Sequence, residues 1–253
     1  MPRYRIPLLI LALGVAAGLL FVIAPDLDHR VTDHFYDTAA RKFPLATDAT
    51  LVALRNLNMW IDIVFAVVLG VVILAKLWKP ERPMLVSGRA ILFLSLTFAL
   101  APGVMANVIF KENWSRPRPV HLTEYGGQEH FVPWWDPRGT CKANCSFVSG
   151  EVSSAAWTLA PAVLVPPPWK GVAVGAALVF TAVIAVVRMA AGGHFLSDSL
   201  FAFLLTALIV WFTYDLIYRR WRARLTDARI DAMLARYGHA LRSRWSRRKA
   251  KRT

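Results

Sequence analysis

The chain has 253 residues, 56% hydrophobic and only 18% charged, with a net charge of +14 and mean hydropathy +0.43. A soluble domain carries nearer a quarter charged residues, so the deficit argues against an ordinary cytosolic enzyme, and the lack of long polar tracts argues against disorder. Between Arg219 and Thr253 lie 13 Lys/Arg and 2 Asp, so most of the excess charge is a basic tail on an oily body. No recognised nucleic-acid module accompanies that charge, which turns the reading away from nucleic acid and toward a membrane surface.

Taken along the chain, six stretches are apolar enough to cross a bilayer, where about 20 helical residues suffice. A short basic start, Met1 to Arg5, precedes the first, Ile6 to Ala24. Its apolar run exceeds the 7–15 residues usual in a signal peptide, so an uncleaved anchor is expected. Residues 25–58 form a loop of mixed sign, in which Leu51, Leu54 and Leu57 ahead of Trp60 suggest an interfacial helix. Met59 to Trp78 follows, then a basic loop, then Ala90 to Phe110. A long polar segment, Lys111 to Glu151, leads into Val152 to Trp169, a weaker span carrying Ser153, Ser154, Thr158 and Pro161. Gly171 to Val187 and Ser199 to Tyr218 complete the set. The expected fold is an all-α, six-helix integral membrane bundle, divided into residues 1–58, a core at 59–218 and a basic tail at 219–253.

Orientation follows from the bias of Lys and Arg toward the cytoplasm. With the N-terminus inside, Lys76, Lys79, Arg82, Arg89, Lys170 and the tail are all cytoplasmic. The segments 25–58, 111–151 and 188–198 then face the periplasm of a bacterial inner membrane. In the tail, Ile230, Met233, Leu234, Tyr237, Leu241 and Trp245 recur at helical spacing, which suits a basic helix on the anionic inner leaflet; a solvated, partly disordered tail is the alternative.

The informative polar residues all fall on the outer side. Lys111 and Arg118 follow the third span, Ser149-Gly150-Glu151 opens the fourth, Arg188 ends the fifth, and His194 and Asp198 open the sixth. One Lys and two Arg meeting in a cleft make a site for a phosphate dianion, since guanidinium offers a planar fork and ammonium a compact charge. Ser149 and the Gly150 N–H at a helix start favour an anion. His194 and Asp198 are four apart, on one face if the helix begins there, and a carboxylate so placed can fix one imidazole nitrogen and leave the other to attack. Gly192-Gly193 permits a tight turn beside them. Arg116 has no evident role and reads as a juxtamembrane charge reaching the interface. A metal site at His194 and Asp198 lacks a second set of His or Cys ligands. Cys141 and Cys145, the only two cysteines, form a disulfide candidate in an oxidising compartment, with two free thiols as the alternative. Trp114, Phe131, Trp134 and Trp135 flank the site, where the headgroup layer suits aromatic rings.

These residues resemble the motifs of the type-2 phosphatidic acid phosphatase family, membrane lipid phosphatases related to vanadium haloperoxidases. Lys111 through Arg118-Pro119 matches Lys-x6-Arg-Pro. Arg188, His194 and Asp198 match Ser-Arg-x5-His-x3-Asp, with Val187 in place of Ser. The middle motif, Pro-Ser-Gly-His, stands here as Val148-Ser149-Gly150-Glu151. The resemblance covers roughly Met59 to Tyr218. It implies a lipid phosphatase needing no metal or other cofactor, with His194 as the nucleophile, Asp198 orienting it, and Lys111, Arg118, Arg188, Ser149 and Gly150 holding the phosphoryl oxygens. Substrates in view are lipid A phosphate, undecaprenyl diphosphate and phosphatidate or phosphatidylglycerophosphate; a phosphotransferase and a non-catalytic lipid-phosphate-binding protein are the alternatives. Glu151 stands where the family has its acid. Three neighbouring cations favour its ionised form, so it is expected to be a weak general acid or to pair with an arginine.

Overall fold

A computed structural model describes residues 4–84 and 86–250, the last five without their side chains. Met1 to Arg3 of the basic start and residues 251–253 of the basic tail lie outside that range. The described residues are helical, with two isolated β-bridges and no strand. We number the helices α1 (Arg5–Ile23), α2 (Leu27–Asp33), α3 (Ala49–Trp78), α4 (Gly88–Asn113), α5 (Gly150–Trp157), α6 (Leu159–Leu164), α7 (Lys170–Ala190), α8 (Leu196–Arg220) and α9 (Asp227–Ala250). Five of them, α1, α3, α4, α7 and α8, are long and apolar enough to cross a membrane.

The fourth expected span is not one helix. Thr158 turns both its N–H and its hydroxyl back onto the Ala155 carbonyl, at 3.1 and 2.6 Å, and Pro161 has no N–H to offer the turn before it. The segment therefore breaks into α5 and α6. Both pieces pack along α7, and a Glu151–Arg188 ion pair joins the start of α5 to the end of α7. The broken pair thus runs antiparallel to a full-length span, and its burial (Val152 to Ala156 at most 5% exposed) replaces the regularity that a lipid-facing helix needs. The separate interfacial helix expected at Leu51, Leu54 and Leu57 is also absent. Asp48 Oδ1 accepts from the N–H groups of Thr50 and Leu51 at 2.9 and 3.0 Å, capping a helix that no Pro or Gly interrupts before Gly70, so these leucines open α3 itself.

The chain divides into two compact units. The first comprises Met1–Trp60 and Thr97–Phe212. Its core joins Met105, Ala106, Phe147, Val148, Val152, Ala155, Ile184 and Ala202, and the three alanines among them let helices approach closely. Hydroxyls inside this unit are satisfied in pairs: Ser153 bonds Thr206 at 2.8 Å, and Thr97 accepts from the Trp157 indole at 2.9 Å. Within α4 the backbone widens to a π-helix over Ala99–Phe110, around Pro102, and the Asn107 side chain donates to the Pro102 carbonyl at 2.6 Å. That winding sets Asn107 and Lys111 against the start of α5.

The second unit comprises Ile61–Leu96 and Thr213–Thr253. Here the described part of the tail forms α9. Lys76, buried, donates to Asp231 at 2.8 Å and to the Arg82 carbonyl at 2.8 Å; Arg242 pairs with Glu81; and Ile230 packs on Gly88. Of the expected apolar stripe Ile230 is buried, whereas Met233, Tyr237, Leu241 and Trp245 are exposed.

Candidate active site

The site lies within the first unit, and its frame is a buried ionic layer. Arg116 has no exposed surface: it donates to Asp198 at 2.5 Å, to Ser197 Oγ at 2.8 Å, to Asp28 at 2.8 Å and, through Nε, to the Val132 carbonyl at 2.8 Å. Asp28 in turn accepts from the Ser197 N–H at 2.9 Å and its hydroxyl at 2.6 Å. The rings of Phe131 and Phe195 lie 5.4 and 4.3 Å from the guanidinium carbon. Arg116 is therefore no juxtamembrane charge, as the sequence suggested. It ties α2, the segment after α4 and the first turn of α8 into one block, because a charge taken out of water needs every donor matched.

On that block stands His194, buried and two residues ahead of α8 rather than within it. Gly192 takes φ +64, and a Cβ on Gly193 would meet the Arg188 guanidinium at 2.5 Å, so the double glycine lets the turn form and lets Arg188 lie beside the histidine. His194 Nδ1 lies 2.8 Å from the Ser146 carbonyl and 3.8 Å from Asp198. The second distance is too long for a hydrogen bond. Asp198 therefore acts one step away from the imidazole: it accepts from the Ser146 hydroxyl at 2.5 Å and the Phe195 N–H at 2.8 Å, which locates the carbonyl that receives Nδ1–H. This tautomer leaves Nε2 uncommitted among the described residues. Burial pushes the imidazole down to about 4, Arg188 and Arg118 add to the shift, and Asp198 opposes it. His194 is thus neutral at physiological pH, the state a nucleophile requires.

The cations gather around it. The Lys111 ammonium lies at the start of α5, 2.9 Å from where a Gly150 side chain would begin. Ser149 caps that helix, its hydroxyl accepting from the Val152 N–H at 3.3 Å, and its own N–H donates to the Asp198 carbonyl. Arg118 is anchored to Asn144, donating to its carbonyl at 2.9 and 3.1 Å and to its side chain at 2.9 Å. Burial lowers the pKa of Arg118, against Glu151 and Asp198, which raise it. Asn144 lies in the short loop closed by a disulfide between Cys141 and Cys145. Glu151 is clasped by two guanidiniums: Arg55 Nε sits 2.6 Å from one oxygen, and Arg188 pairs with the other. Two such partners favour the carboxylate over the acid. Asn58 adds a bond to the Glu151 carbonyl at 3.2 Å and one to Ser154 at 2.9 Å. Lys111, Arg118, Arg188, Ser149, Gly150, Glu151, His194 and Asp198 are therefore brought together, as the spacing suggested.

Residues 92–222 match the PAP2 superfamily, just over half of the chain. The chain belongs to this family, and it is a membrane lipid phosphatase. It is 32% identical over 221 residues to the lipid A 4'-phosphatase of Francisella tularensis subsp. novicida, covering 87% of this chain and 99% of that protein. The lipid A 4'-phosphatase of Rhizobium etli is 39% identical over 99 residues, 39% of this chain and 38% of its own, and that of Rhizobium leguminosarum is 37% identical over 116 residues, 46% and 49%. No solved structure matches significantly.

Five further residues of this PAP2 site escaped the sequence reading: Asp28, Arg55, Arg116, Ser146 and Ser197. Asp28 and Arg55 reach their partners across about ninety residues of chain or more, and nothing local marks them. Ser146 and Ser197 gave a weak signal, being hydroxyls within three residues of the motif positions Ser149 and Asp198.

Proposed function

We propose that this phosphatase removes the 4'-phosphate of lipid A at the periplasmic face of a bacterial inner membrane, through a phosphohistidine on His194. The observation that carries the mechanism is the tautomer: Nδ1–H is taken by the Ser146 carbonyl, and Nε2 stands uncommitted beside Arg118 and Arg188. The substrate reading is supported by the lipid A 4'-phosphatase that this chain matches over 99% of its length.

In the first step Nε2 attacks phosphorus and the bond to the sugar oxygen breaks. Lys111, Arg118, Arg188, Ser149 and the Gly150 N–H hold the three equatorial oxygens, where phosphoryl transfer gains most from fixed positive charge. Glu151 aligns Arg188 as its counter-ion and is not the acid, so the departing oxygen takes its proton from water. Water then cleaves the nitrogen–phosphorus bond, releasing inorganic phosphate and the neutral imidazole. Asp198 and Arg116 take no part in proton transfer and hold the nucleophile through Ser146. The Lys and Arg bias supports a site on the outer face and a tail on the anionic inner leaflet, and the exposed Met233, Tyr237, Leu241 and Trp245 of α9 suit contact with the acyl layer.

The test is phosphate release by the purified protein from lipid A, undecaprenyl diphosphate, phosphatidate and phosphatidylglycerophosphate in detergent, with mass analysis of the lipid product. Loss of the 4'-phosphate from lipid A, with the 1-phosphate retained, is expected. Turnover of the other lipids with none of lipid A would overturn the substrate, and acid-stable label on the quenched protein would overturn the phosphohistidine.

A further inference from the structure

Beside the phosphate machinery, within the same unit, runs a groove of about 280 Å³ lined by Val152, Leu178, Thr181, Ala182, Ala185, Leu196, Ser199, Leu200 and Phe203. Each of its three walls ends in a site residue. Val152 follows Glu151 on α5, Ala185 lies three residues before Arg188 on α7, and Leu196 and Ser199 bracket Asp198 on α8. Its two hydroxyls are already spent inward: Thr181 donates to the Ala177 carbonyl at 2.7 Å and Ser199 to the Phe195 carbonyl at 3.2 Å. What remains facing the groove is hydrocarbon, and Leu178 and Ala182 are exposed on the side of a membrane-crossing helix.

We propose that this groove seats one acyl chain of the lipid whose phosphate His194 attacks. The inference rests on the site assignment above but not on lipid A as the headgroup. From Ala185 to Leu178 the groove extends about 10 Å along α7 at ~1.5 Å per residue, leading away from Arg188. A chain lying there leaves its ester end beside the phosphate-binding cations. The gain is chiefly orientation, because the chain exchanges one hydrocarbon surrounding, the bilayer, for another. A soluble phosphate ester, with no chain to seat, is indifferent to the groove.

Filling the groove tests this. Ala182→Trp adds bulk at an exposed position, so it leaves the core unstrained; Val179→Trp, on the same helix but outside the groove, is the control. With one headgroup carried on long and on six-carbon acyl chains, Ala182→Trp is expected to lower kcat/KM about tenfold on the long chain and less than about twofold on the short one. Val179→Trp is expected to alter neither. An equal loss on both chain lengths, a matching loss in the control or no loss at all would overturn the proposal. An equal loss with a changed oligomeric mass would assign the groove to a second copy of the chain. A lipid phosphate carrying a photoreactive group on its acyl chain supplies a reading independent of turnover: label is expected on Leu178, Ala182 or Leu200, and label elsewhere would count against the groove. Should lipid A be refused while another lipid phosphate is cleaved, the substrate reading fails and the chain-length comparison runs on the accepted headgroup.

Discussion

Arg116 and Arg118 are two residues apart, yet they belong to different kinds of structure. Arg116 is wholly enclosed and bonded to two carboxylates, a hydroxyl and a carbonyl, so a ligand has no path to it. Among the described residues Arg118 is bonded to Asn144 alone, and it stands among Lys111, Arg188 and Glu151, where charge of one sign is in excess. The same contrast holds for the acids. Asp198 is locked between Arg116, Ser146 and Phe195, whereas Glu151 is shared between two arginines that a phosphate can claim. A phosphate-sized cluster of shared ion pairs is thus mounted on a buried layer of closed hydrogen bonds.

His194 belongs to both regions, its Nδ1 in the fixed layer and its Nε2 at the surface, and its removal should have the largest effect. His194→Ala is expected to lower phosphate release by at least ~10³-fold while binding of the lipid persists, since only the bond-forming atom is lost. Measured release together with retention of a labelled lipid checks both halves. The arginines should then separate cleanly. Arg116→Met leaves the Asp28 and Asp198 carboxylates buried without their cation and should cost about 3–5 kcal/mol of stability, read as a fall in Tm. Arg118→Ala should keep its Tm and lose about 100-fold in kcat/KM. Loss of activity without loss of stability at Arg116 would break the distinction.

The sequence made the surface half of the site legible, together with Asp198 of the frame, and hid the rest of the frame. Lys111, Arg118, Arg188, His194 and Asp198 announce themselves because each sits at a fixed spacing beside an apolar run, where a charge needs a reason. Asp28 lies in a loop of mixed sign and Arg116 in a basic motif, so neither looked unusual, and their pairing across 88 residues leaves no periodic trace. The spans were visible for the opposite reason, since hydropathy is a local sum. That advantage failed at residues 150–164, where Pro161 breaks the helix and burial against α7 makes length unnecessary. It also blurred the start of α3, whose first turns were apolar enough to pass for a separate surface helix.

Acid should sharpen the comparison further. His194 in the folded protein titrates near 4 against an ordinary 6.5. The unfolded chain therefore binds the extra proton first, and the stability tied to the neutral imidazole is full above pH 6.5 and lost as pH falls toward 4. The loss is of order 3 kcal/mol. Tm measured from pH 7 to 4.5 should fall less in His194→Gln than in the wild type, and equal slopes would remove His194 as the cause. The Glu151 clasp should matter less. Glu151→Gln is expected to reduce kcat/KM by about tenfold, and Arg55→Ala should add little in that background, because both act on Arg188 through the same contact. A loss above ~100-fold would make Glu151 a proton donor after all, and additive losses would mean that Arg55 meets the substrate directly.

The smallest effect should come from the loop that holds Arg118. Cys141 and Cys145 close a ring around Asn144, whose φ of +52 places it in the left-handed region and whose carbonyl and side chain both receive the Arg118 guanidinium. The ring is stitched to the first motif as well, through Cys141 N–H to the Ser115 carbonyl and Ser146 N–H to the Arg116 carbonyl. Closing so short a loop contributes about 2 kcal/mol in the chain-entropy account. Those backbone bonds survive reduction, so most of the loop should keep its place. Cys141→Ser with Cys145→Ser is therefore expected to raise KM a few-fold with kcat little changed, since Arg118 loosens while His194, held by the Arg116 layer through Ser146, does not move. A fall in kcat of the size seen for His194→Ala would show that the loop and the buried layer are one device, not two.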